Sequence, residues 1–137
     1  MQKKIWLSCL TPFLFGALLL FVGCATKQAY EGPKLPSEGV VLIKPSLGLV
    51  ISATIAEVDG KARGFFEERA EVLPGEHTVK IRVSRETLFG RTIGNKTLTF
   101  QARVGHTYKV DGTIGGGDAF AWIVDETNNE VVAGEKR

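Results

Sequence analysis

Stretches in which apolar and polar residues alternate, each closed by a turn signal, run through most of the chain. In HTVKIRV, His77, Val79, Ile81 and Val83 alternate with Thr78, Lys80 and Arg82, the period of two that gives a strand one buried face. TLTFQARV repeats the pattern, with Leu98, Phe100, Ala102 and Val104 expected inward and Thr97, Thr99, Gln101 and Arg103 outward. Tyr108, Val110 and Ile114 alternate with Lys109 and Asp111, and Phe120, Trp122 and Val124 share one face of AFAWIVD. Two more runs read as strands: VVLIK, ending at Pro45, and the β-branched LVISATIAEV, closing on Asp59 and Gly60. FFEERAEV, Phe65 to Val72, is assigned as a strand leading through the Leu73 to Glu76 turn, and NNEVVAG closes a hairpin through its asparagines. Strands at roughly ten-residue spacing, with no amphipathic helix, predict an all-β domain over 39–137, a small antiparallel β-sandwich of about seven strands. A closed barrel is the alternative.

The N-terminus follows another pattern. From Ile5 to Val22 no residue is charged, Lys3 and Lys4 precede the run, and Pro12 interrupts it. About twenty apolar residues cross a bilayer as a helix, so an uncleaved anchor fits the run. A secretory signal, with a basic start, an apolar stretch and a small residue at the cut, also fits. Gly23 followed by Cys24 resembles the lipobox of bacterial lipoproteins, with Phe21 where leucine is usual. That resemblance implies residues 1–23 as a signal peptide and Cys24 as the site of lipidation. The partner it implies is the membrane itself, in the cell envelope, and Ala25 after the cysteine implies the periplasmic face of the outer membrane in a Gram-negative host. Cys9 lies in the segment that is removed, so the mature chain keeps no cysteine for a disulfide. Residues 24–38, with two prolines, a glycine and no apolar period, read as the lipidated cysteine and an extended tether, whose Tyr30 and Leu35 are candidates to pack on the domain edge.

Composition removes one class of partner. Loss of residues 1–23 takes away two lysines and no acid, which brings the formal charge from +2 to zero. Nucleic-acid binding draws on clustered Lys and Arg against phosphate, and none is expected here.

LPGEHTV, FQARVGHTYKV and AWIVDETNNEVVAG together resemble a set of small bacterial lipoproteins whose domains are similar to the PEGA type, a surface-associated β-sandwich module. Pro74, Gly75 and His77 match its turn, and Gly105 and Tyr108 match its second hairpin. The resemblance implies a fold and a location, and no activity.

Candidate chemistry is sparse. His77 and His106 are the only histidines, too few soft ligands for zinc once Cys24 is acylated. Asp111, Asp118, Asp125 and Glu126 lack the dense alternation of a calcium loop. Ser46, Ser52 and Ser84 stand in no nucleophile-elbow context. Gly115 to Asp118 reads as a hairpin turn rather than an anion cradle. No catalytic residue, metal or cofactor is therefore expected, and the protein is read as a non-enzymatic module. One segment suits a partner: Ser84 to Lys96 carries Leu88, Phe89 and Ile93 among Arg85, Arg91 and Lys96. Phe89, Arg91 and Ile93 are the candidate contacts for an envelope protein or a glycan. In the plainer reading the strands extend into this hairpin and its apolar residues fold back on the core.

Overall fold

The computed structural model describes residues 26–64 and 68–137. Cys24 and the signal segment lie outside the described residues, as do Phe65, Phe66 and Glu67 of the strand expected over 65–72.

The described chain forms β1 (Thr26–Gln28), β2 (Val41–Lys44), β3 (Ile51–Val58), β4 (Lys61–Ala62), β5 (Arg69–Val72), β6 (Gly75–Thr87), β7 (Gly90–Ala102), β8 (Thr107–Gly115), β9 (Asp118–Asp125) and β10 (Glu130–Gly134), with a 3-10 turn at Ser37–Gly39. They make a six-stranded sheet in the order β1-β5-β2-β8-β9-β10 and a four-stranded sheet in the order β4-β3-β6-β7. The fold is all-β and open, two facing sheets rather than a barrel. It is not wholly antiparallel, because β1 runs parallel to β5 and β2 parallel to β8. The start of the segment read as a tether is thus a strand on the sheet edge, where Ala29 N also donates to Glu71 O at 2.8 Å. Tyr30 Oη accepts from Leu35 N at 2.9 Å, which curls the segment back on itself, and Lys61 pairs with Glu31 at 2.9 Å.

The core fills the space between the sheets as the alternation requires. Val41, Ile43, Tyr108, Val110 and Ile123 from the larger sheet meet Ala53, Ile55, Val79, Ile81, Val83 and Phe100 from the smaller, all buried. In β3 the register slips between Ile55 and Glu57, and this bulge lets Ile55 and Val58, three residues apart, both face inward. A Cβ on Gly112 would come within 2.6 Å of Val83 and 2.7 Å of the Phe120 carbonyl, so only glycine fits where β8 passes under β6.

Two expectations change in detail. Val104 is exposed, because β7 stops at Ala102 and the chain turns through residues 103–106. Phe120, Trp122 and Val124 do share a face, but it is the one away from the core. Their partners across the ladder are Thr113, Asp111 and Lys109, while Ala119, Ala121 and Ile123 point inward.

Register fixes what gathers at each end of the sandwich. Ile51 lies opposite Arg85, and Arg85 Nη1 donates to Ile114 O at 3.1 Å. The 45–50 loop, the β6–β7 turn and the β8–β9 turn therefore share one end, called the Leu88 end below. The other end holds Asp59, Leu73, His106 and the β9–β10 turn, where Asn129 takes a φ of 59°.

Candidate functional site

At the Leu88 end, β6 and β7 pair without a break from Gly75 opposite Ala102 to Thr87 opposite Gly90. Only Leu88 and Phe89 remain to make the turn, so the strands extend as the plainer reading expected. The apolar residues, however, do not fold back: Leu88 and Phe89 are fully exposed and Ile93 is 53 % exposed. Thr87 holds the turn locally, its Oγ1 donating to Gly90 O at 2.9 Å and accepting from Phe89 N at 3.3 Å. Arg91 is in an ion pair with Glu86.

The same end carries apolar residues that the sequence reading placed elsewhere. Leu49 and Val50 were expected to open a strand, but β3 begins at Ile51. Glu86 N donates to Val50 O at 2.8 Å, which fixes this loop against the hairpin. Leu47, Leu49 and Val50 are 60 %, 98 % and 57 % exposed. Their one sequence signal was three apolar residues within a loop that opens on Pro45. Their placement at the same end as Leu88 and Phe89 depends on long-range pairing of β3 with β6.

The opposite end holds the histidines. His77 Nδ1 contacts Asp59 Oδ2 at 2.7 Å and its Nε2 contacts Leu73 O at 2.6 Å. Asp59 Oδ1 accepts from Thr78 N at 2.9 Å. One ring nitrogen is thus spent on the Leu73–Gly75 turn, where Gly75 has a φ of 134°, and the other on Asp59 in the β3–β4 turn. His106 Nδ1 contacts Asp125 Oδ2 at 2.6 Å, and Asp125, 2 % exposed, also accepts from Thr127 N at 2.9 Å. Burial pushes the Asp125 carboxyl up, but the hydrogen bonds from His106 and Thr127 and the His106 charge outweigh it and hold the group below its ordinary value. His106 lines a cleft of about 260 Å³ with Ser37, Glu71 and Thr107. Its Nε2 has no partner among the described residues, and no hydrogen bond joins it to Ser37. The Asp125 carboxylate thus orients the imidazole that lines this cleft.

The four acids considered for calcium do not converge. Asp118 opens β9 and Asp125 closes it, Asp111 Oδ1 is bound by Gly112 N at 2.9 Å, and Glu126 pairs with Lys44 at 2.5 Å. Among the described residues no group of three or more His, Cys, Asp or Glu is placed to hold a metal ion. Ser52 and Ser84 bond each other through their hydroxyls at 2.7 Å. Among the described residues no helix is long and apolar enough to cross a membrane.

Compared with known protein families, curated proteins and solved structures, the chain matches none.

Proposed function

We propose that the protein is a cell-envelope lipoprotein, acylated on Cys24 and carrying a non-catalytic β-sandwich that contacts other envelope components. The observation that carries this reading is the join between leader and domain. Two lysines, an uncharged run and Gly23 precede Cys24, and Ala25 alone separates that cysteine from β1. One acyl chain holds a protein to a bilayer only marginally, whereas two or more hold it stably. The non-catalytic half of the reading draws support from the histidines, since His77 and His106 close turns at the end of the sandwich. The candidate contact residues Phe89 and Ile93 are exposed, as an interaction surface requires, and Trp122, 5 % exposed, presents no open face for a sugar to stack on.

The test is the intact mass of the protein purified from bacterial membranes, beside a Cys24→Ala variant. The expected wild-type mass is that of a chain starting at Cys24 plus acyl groups, with no acylation of the variant. An unmodified full-length mass would replace the lipoprotein by a helical signal anchor, and a cleaved, unacylated mass would make the protein a free exported domain.

A further inference from the structure

We propose that the Leu88 end of the sandwich is itself a membrane-contacting surface, with Leu49, Leu88 and Phe89 entering the headgroup region of the bilayer that holds the Cys24 anchor. The proposal rests on the lipoprotein reading for which membrane is met, and on the following observations for the contact.

The fold gives these side chains nothing to do. Two-residue hairpin turns favour Gly, Asn and Asp, whose backbones suit the tight geometry. Here the two positions hold leucine and phenylalanine, both fully exposed. Leu49, in a separate loop, is 98 % exposed. The pairing of Ile51 with Arg85 and the Glu86–Val50 hydrogen bond bring the loop and the hairpin together. Two segments far apart in sequence thus expose apolar side chains at the same end of the sandwich, and exposed apolar residues gathered on one face mark a contact.

The chain's own entry points to lipid as the occupant. β1 lies opposite β5, and β5 runs antiparallel to β2, so Thr26, opposite Arg69, is the residue of β1 nearest the Leu88 end. Ala25 alone stands between Thr26 and Cys24 in the sequence, and two residues reach at most about 7 Å. The register of β2 on β8 sets Lys44 level with Lys109, and β8 then continues to Gly115 toward the Leu88 end, about 20 Å of strand. A bilayer surface meeting both Cys24 and the hairpin tip therefore runs along this flank, and the domain leans on the membrane instead of standing off it. Beside the tip, the cleft between Leu47 and Ile93 is lined by Arg63, Arg82 and Arg91 with Glu68 and Glu86, so the charges there nearly cancel. The contact is accordingly apolar and does not depend on anionic lipid, so salt does not release it.

Emission from a tryptophan placed at the tip tests this in the full-length protein isolated from membranes. Phe89→Trp, and Asn128→Trp at the far end, are each made with Trp6→Phe, so that wild-type Trp122 provides the baseline. The samples are reconstituted into phosphatidylethanolamine and phosphatidylglycerol vesicles with brominated acyl chains, and the intact mass of each sample is recorded. The expected result is quenching and a blue shift at position 89, unchanged by salt, and no quenching beyond baseline at position 128. An acylated sample whose position-89 probe stays unquenched overturns the contact and leaves the anchor standing; the tip then serves a protein partner. An unacylated mass overturns the anchor, and quenching or its absence at position 89 still decides the contact.

Discussion

The residues with the most chemical side chains spend them on turns. His77 ties Asp59 to the Leu73 carbonyl, and Asp125 binds His106 and Thr127 at once. Tyr108, 1 % exposed, accepts from Arg103 N at 3.0 Å and packs edge-on against Phe100 with ring centroids 4.8 Å apart. A buried acceptor that loses its donors costs about 1–3 kcal/mol, so such groups set stability even when they catalyse nothing. Asp125 makes this visible in pH. Its folded carboxyl titrates below the ordinary value of 3.8, so it stabilises the fold fully above that pH and stops doing so as the pH falls through the folded value. Asp125→Asn is therefore expected to be less stable than wild type at neutral pH, by about 1–3 kcal/mol. The gap is expected to close in acid, as read from urea unfolding at a series of pH values.

Among the elements, the β6–β7 hairpin joins two different roles along one ladder. Its lower half supplies Val79, Ile81, Val83 and Phe100 to the core, whereas its tip beyond β3 touches nothing that the fold needs. Substitution should separate the halves. Ile81→Ala is expected to cost about 2–5 kcal/mol through the cavity it leaves. Leu88→Ser and Phe89→Ser are each expected to stay within about 0.5 kcal/mol of wild type. Thermal unfolding of the three variants measures both, and a large loss at Leu88 or Phe89 would mean that the tip packs on the domain. The hairpin was half legible in the sequence. Alternation of His77 to Val83 and of Leu98 to Ala102 reported the paired, one-side-buried strands. Ser84 to Lys96 has no such alternation because most of the ladder there is exposed, and where it is covered, against Ala119, the residue is Gly94, which has no side chain to mark the face; it read as a link although its backbone pairs to the end.

For the whole molecule, two sheets share one core, and the pairs that hold it are distant in sequence: β1 meets β5, β2 meets β8 and β3 meets β6. Such a domain is expected to unfold as one unit. Trp122, buried on the outer face of the six-stranded sheet, is the tryptophan of the chain from Cys24 onward and reports that sheet. Its fluorescence and the far-UV circular dichroism are expected to change together in urea, and separate midpoints would show that the sheets unfold independently. The sequence by itself determined that this is an all-β domain, which positions alternate, where most turns fall, and that a lipobox-like cysteine precedes the domain, because period, turn residues and leader pattern are local properties. Only the tertiary structure decided that Thr26–Gln28 joins a sheet edge, that Ala119, Ala121 and Ile123 rather than Phe120 and Trp122 face the core, and that the loop carrying Leu49 lies at the same end as the turn carrying Phe89. Each of those depends on which strand lies next to which and in what register, and the free energy that selects a register comes from burying one face of every strand at the same time.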